Sequence, residues 1–114
     1  MNARSVKAKG RRLQNIVRDA LRETFKSLEQ EDIKSQTMGM TGEDIVLSPS
    51  ARKMIPYSIE CKNQERLQIW KSLKQAEDNT PEGSEALLVI KRNGTKPYAV
   101  IDFDKFIDLI KPNG

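Results

Sequence analysis

A mixed α/β (α+β) fold, with a small central mixed β-sheet flanked by helices, is what the sequence predicts, and three patterns predict it. Leu13, Ile16, Val17, Ala20, Leu21, Thr24 and Leu28 recur at i, i+3, i+4 and i+7, the stripe of a long amphipathic helix over residues 6–30. Two pairs of short strand-like runs follow, residues 43–48 with 54–62 and residues 86–90 with 97–101. A second helical stretch over residues 64–79 separates the pairs, and Phe103, Phe106, Ile107 and Ile110 close the chain on one helical face. The expected order is α-β-β-α-β-β-α, in a single domain over residues 1–114.

Residues 1–8 read as a flexible basic arm. Residues 31–42 hold two Gly, two Met and small polar residues without a period, which predicts a mobile loop. Ser48 to Lys53, with Pro49, reads as a tight turn joining the first strand pair. Pro56 weakens the start of the return strand, so firm pairing is expected from Tyr57. Asn79-Thr80-Pro81 ends the second helix. Ala86 to Ile90 is nearly all apolar, the pattern of a strand covered on both faces. Asn93-Gly94 is a hairpin signal, because both residues tolerate positive φ. Asp102 or Asp104 caps the last helix.

Composition removes several chemistries. The 114 residues suffice for one core and contain no histidine, so there is no imidazole base, no Ser-His-Asp triad and no His-Cys zinc site. The one cysteine excludes an internal disulfide and a thiolate zinc site, and fits a reducing cytoplasm. No apolar run approaches about 18 residues, so no membrane span is expected. The basic N-terminus lacks the apolar stretch of a signal peptide. Any metal site must rest on carboxylates, which favours Mg²⁺ or Mn²⁺.

The net charge is +4, and Arg4, Lys7, Lys9, Arg11 and Arg12 put five positive charges in the first twelve residues. Such a run suits phosphate contact, although a solvated tail has the same composition. Gln64, Gln68, Lys71 and Gln75 form an acid-free polar stripe on the second helix. That stripe suits the DNA backbone, or is an ordinary solvated face. Ile69, Trp70, Leu73 and Ala76 lie on the other side, with Trp70 expected in the core.

Alternation along residues 57–62 puts Ser58, Glu60 and Lys62 on one face and Tyr57, Ile59 and Cys61 on the other. If residues 43–48 pair antiparallel with this strand, Asp44 lies beside Glu60. Two adjacent carboxylates repel unless a cation sits between them. The backbone carbonyl of Cys61, water and a phosphate oxygen could complete such a site, and Lys62 could orient water or stabilise charge. Glu-x-Lys alone is a weak signal, because the same pair on an edge strand also keeps that edge soluble. The Cys61 thiol reads as a small buried hydrophobe, having no base beside it.

An Asp opening one strand and a Glu-x-Lys ending the next resembles the PDDEXK, or restriction-endonuclease-like, nucleases. Within them the chain resembles the small archaeal and phage-borne Holliday junction resolvases over most of its length. The resemblance implies that Asp44 and Glu60 bind Mg²⁺ and that Lys62 is catalytic. Lys9-Gly10-Arg11-Arg12-Leu13-Gln14 is similar to the family's opening Lys-Gly-x-x-x-Glu, with Gln14 where the family has Glu. The neutral amide lowers the charge available for a second metal; Glu23 is the rival acid on the same helix. Thr41 is the nearest match to a hydroxyl residue before the Asp, and Glu43 is a second-choice acid. The implied function is a cytoplasmic, Mg²⁺-dependent endonuclease of DNA recombination and repair, a homodimer cutting branched double-stranded DNA. Another nuclease of the superfamily, acting on linear or flap DNA, or a non-catalytic DNA-binding accessory protein stay open as alternatives.

Overall fold

The computed structural model describes residues 3–113, a mixed α/β protein in which the described residues form two small sheets and four α-helices. Helix α1 (Ala3–Thr24) lies against a parallel pair, β3 (Tyr57–Asn63) and β4 (Glu85–Lys91), to which β5 (Tyr98–Val100) adds antiparallel. A parallel pair needs a crossover, and helix α3 (Ile69–Asp78) supplies it. Ile59, Cys61 and Val89 join Leu13 of α1 in the core on one face of the sheet. Leu88, facing the other way, is fully buried, and the small buried Ser72 and Ala76 let α3 approach closely. The expectation that residues 86–90 are covered on both faces is met by Leu88 and Val89, which are both buried.

The first strand pair differs from expectation. β2 (Ile45–Leu47) pairs antiparallel with β1 (Ile33–Ser35), inside the segment expected as a mobile loop, and not with β3. Ile33 and Ile45 are both fully buried, which gives so short a ladder its stability. Arg22 draws the chain back toward α1, its guanidinium donating to the carbonyls of Gln30 and Ile33. This return explains why α1 stops at Thr24 and does not run to residue 30.

The expected turn at residues 48–53 is a helix, α2 (Pro49–Met54). The Ser48 hydroxyl accepts from the Ala51 N–H and donates to Asp32, and Pro49 fills the first turn, where its missing N–H costs nothing. Ser-Pro therefore opens a helix here. The expected basic arm is also corrected: residues 3–8 are the first turns of α1, and of that arm Met1 and Asn2 lie outside the described residues. α3 starts five residues later than expected, because Gln64 and Glu65 are tied to the β4–β5 turn through Lys91 and Asn93.

That turn runs from Arg92 to Thr95, closed by the Thr95 N–H on the Arg92 carbonyl, with Gly94 at φ 80°. Only the glycine uses positive φ; Asn93 does not. Asp102 caps the final helix α4 (Phe103–Ile110), accepting from the N–H groups of Asp104 and Lys105.

β2 enters the sheet region without a ladder to β3, so a few side chains hold it there. The Arg52 guanidinium forms two bonds to the Glu43 carboxylate, at 2.8 and 2.7 Å, and a third to the Tyr57 carbonyl at 3.0 Å. Both partners are mostly shielded, which raises the worth of the pair above that of an exposed ion pair. Arg52→Met is expected to lower the free energy of unfolding by about 1–3 kcal/mol in urea titrations. An unchanged midpoint would show that this clamp is dispensable.

Candidate active site

The Asp44 residue sits where the chain leaves Gly42 and enters β2. Gly42 has φ 101°, a conformation that L side chains rarely adopt, and it turns the chain toward β3. Asp44 is then fastened to β3 twice. Its N–H donates to the Ile59 carbonyl at 2.9 Å, and its carboxylate accepts the Cys61 N–H at 2.7 Å. These bonds flank Glu60, so the two carboxylates meet as the alternation predicted, although no β2–β3 hairpin forms.

The Glu60 carboxylate is 2% exposed and accepts from the Asn79 side-chain amide at 2.7 Å. Burial pushes its pKa up to about 7; the Asn79 bond opposes the rise, while the Asp44 carboxylate, by charge and by hydrogen bonding, adds to it. Lys62, two residues on, favours the ionised form. Burial also raises the Cys61 thiol, with the two neighbouring carboxylates adding to the effect, so this sulfur is no nucleophile.

Asp44, Glu60 and Lys62 line an open cleft of about 770 Å³ between the start of α1, the loop before Asp44, β3 and α3. Gln14 lines it as well. It is 5% exposed, and its Oε1 is buried without a hydrogen-bond partner. A buried amide oxygen lacking a donor carries a desolvation penalty, and a water or cation hydrate in the cleft would relieve it. The rival acid Glu23 instead pairs with Lys26 on the surface at 3.1 Å. Glu43 is occupied by Arg52.

Thr41 lines the cleft, as do Lys7, Gln64, Lys71 and Gln75. Gln68 does not; it is the residue before the first turn of α3. Arg4, Arg11 and Arg12 are exposed on α1 without lining the cleft. Lys9 departs from its expected role: it is 5% exposed, and its ammonium is held by Glu65 at 3.3 Å. Its carbonyl accepts from the buried Asn63 amide, so this lysine ties α1 to the end of β3. Trp70 is corrected too, at 82% exposed and on the flank of α3 away from Lys71 and Gln75.

Sequence reasoning missed Asn79. It stands at the C-terminal end of α3, where Asn before Thr-Pro signals only a helix stop. Its amide also reaches the Gly42 carbonyl at 3.4 Å, so one side chain joins α3, Glu60 and the loop that delivers Asp44.

Among the described residues no cluster of three or more His, Cys, Asp or Glu side chains occurs. The site is therefore a two-carboxylate site. A hard cation would suit it, because the two acidic side chains that meet there, Asp44 and Glu60, offer carboxylate oxygens. Asp44 and Glu60 would hold the cation directly, with the neutral Gln14 oxygen within the same cleft. No family model matches the chain, and neither a curated protein nor a solved structure matches it.

The raised Glu60 pKa has a consequence for stability. Between about pH 4.5 and 7 the folded protein keeps a proton on Glu60 that the unfolded chain has released, so stability falls as pH rises through this window. Glu60→Gln keeps the acceptor for Asn79 and removes the charge. It is expected to match wild type near pH 4 and to exceed it at pH 8, by up to about 3 kcal/mol in denaturant titrations. Equal stability at both pH values would show that Glu60 is not held protonated.

Proposed function

We propose that the chain is a metal-dependent endodeoxyribonuclease of the restriction-endonuclease-like kind, hydrolysing phosphodiester bonds in branched DNA such as four-way junctions. The observation that carries this proposal is the meeting of the Asp44 and Glu60 carboxylates at β3, beside Lys62, in a cleft that Lys7 and Lys71 also line. Carboxylates below and ammonium groups around them match a phosphate approaching a cation.

Bound Mg²⁺ or Mn²⁺ would supply Lewis acidity at the phosphate and lower the pKa of water. The chain's own residues do the rest. Asn79 holds Glu60 in one orientation, and the Cys61 N–H does the same for Asp44. Gln14 lines the same cleft as a neutral polar side chain. The Lys62 ammonium lies against the negative charge that grows on the phosphoryl oxygens. The water oxygen bonds to phosphorus and gives up a proton to solvent, the bond to the leaving sugar oxygen breaks, and that oxygen takes a proton from solvent. With Gln14 in place of an acid, two carboxylates support one cation better than two.

The preference for junctions rests on the family resemblance and on the absence of a recognisable base-reading module in the sequence, which favours shape over sequence as the recognised feature. Cutting two strands related by two-fold symmetry is most simply done by a C2 dimer.

The test is cleavage of a labelled four-way junction beside a linear duplex of the same sequence, in Mg²⁺ or EDTA. Mg²⁺-dependent cuts confined to the junction, and absent in Glu60→Ala, are expected. Cuts in both substrates would remove the junction preference and keep the nuclease. No cuts in either would overturn the proposal and leave a DNA-binding accessory protein. Asn79→Ala, which leaves both proposed cation-holding carboxylates in the chain, is expected to weaken Mg²⁺ affinity by roughly 10–100-fold in titration calorimetry. Unchanged affinity would deny Asn79 its positioning role.

A further inference from the structure

Phe103, Phe106, Ile107 and Ile110 of α4 stand at i, i+3, i+4 and i+7, so they form one apolar stripe, yet α4 buries none of its residues. A helix this short gains little order from its own hydrogen bonds and depends on covering such a stripe. Phe103, 72% exposed, belongs both to the stripe and to the wall of a groove of about 700 Å³ between α3 and α4. Trp70 and Leu73 of α3 line the facing wall, with Trp70 82% exposed, and Val100 and Ile101 lie between. No other segment among the described residues covers these side chains.

The charge around the groove names what suits it. Its two cations are engaged within the chain, Lys74 with Asp78 at 3.2 Å and Lys105 with Glu85 at 3.2 Å. Glu77 and Asp102 line the groove without an ion pair, and Asp104 in the first turn of α4 adds a third such acid. A chain of net charge +4 thus keeps an apolar groove with an acidic rim. Nucleic acid and anionic lipid surfaces are both repelled by such a rim. A groove between two helices accepts a third, whose side chains enter at i, i+3, i+4 and i+7. We propose that the groove between α3 and α4 docks an amphipathic helix of a partner protein, with an apolar stripe seated on Trp70, Leu73 and Phe103 and Lys or Arg residues meeting Glu77, Asp102 and Asp104.

This docking stands apart from the nuclease reading. Helix α3 carries Trp70, Leu73 and Glu77 on the groove side and Lys71, Gln75 and Asp78 on the cleft side. A partner seated in the groove therefore leaves the carboxylate site open, and its binding is measured without any cleavage.

The test titrates the full chain with two synthetic peptides of about 16 residues, long enough to form a helix. Both carry Leu at i, i+3, i+4 and i+7 and lack tryptophan; one has Lys and the other Glu at the flanking positions. Trp70 is the chain's one tryptophan, so its emission reports the groove directly. The lysine peptide is expected to shift that emission to the blue, saturably, and to bind at least about 10-fold more tightly than the glutamate peptide. Glu77→Lys, an exposed substitution on α3, is expected to abolish that preference. Phe103→Ser is expected to weaken both peptides. Should Phe103→Ser fail to fold, by far-ultraviolet circular dichroism, the Glu77→Lys comparison decides. No shift with either peptide, equal binding of both, or a preference untouched by Glu77→Lys overturns the proposal. So does sedimentation velocity showing that the chain alone self-associates with Trp70 emission already blue-shifted, because the groove then belongs to a second copy. Binding as expected by a chain that cuts no DNA would uphold the docking site while the nuclease reading fell.

Discussion

The fold turns on the attachment of Asp44 to β3. That strand is paired with β4 along its whole length, and the main-chain groups on its other side need partners. Asp44 provides two, its N–H to Ile59 and its carboxylate to the Cys61 N–H. The side chain thus does what a neighbouring strand would do. A charge-assisted bond of this kind contributes about 1.5–3 kcal/mol. It also fixes the Asp44 carboxylate against Glu60, the placement on which any cation chemistry rests.

That placement is unfavourable by itself. Glu60 lies between Ile59 and Cys61, two residues of the core, and meets the Asp44 carboxylate, which together with burial disfavours its ionised form. Once both are ionised, above about pH 7, their repulsion would push β2 away from β3 if nothing opposed it. The Arg52 clamp on Glu43 and Tyr57 opposes it from one side, and Asn79 opposes it from the other by gripping Glu60 and the Gly42 carbonyl. Rigid support of two like charges is the condition for a site that gains stability when a cation enters. The unpartnered Gln14 oxygen belongs to the same pattern of polar groups left for a ligand to satisfy.

Much of this was legible in the sequence, and the exceptions have physical causes. Alternation over residues 57–62 sorts Ile59 and Cys61 from Glu60 and Lys62 because a strand has no other way to display them. Gln14 could be placed near the site because it borders the apolar stripe of α1. The pairing direction of β3 and β4 was not legible: a buried apolar run looks the same in parallel and antiparallel sheets until the crossover is known. β1 is too short to show a period. Ser48-Pro49 is a turn signal and equally a helix start, and the tie to Asp32, which settles which, is a tertiary contact. Lys9 reads as a phosphate-seeking charge until Glu65, far along the chain, is seen to hold it. Trp70 reads as core because helix periodicity finds an apolar face and cannot say whether the same chain covers it.

Helix α3 links these themes. It is the crossover that makes β3 and β4 parallel, and its buried Ser72 and Ala76 seat it against the sheet with little room to slide. Its C-terminal Asn79 holds Glu60, while its outer flank carries the exposed Trp70 and the half-buried Leu73 of the apolar groove. A displacement of α3 as a unit would therefore loosen the carboxylate site and reshape the groove together. Close packing makes such an element behave as a rigid body, so whatever covers the groove also restrains Asn79. The cleft on one flank of the helix and the apolar groove on the other then share one buried row of small side chains.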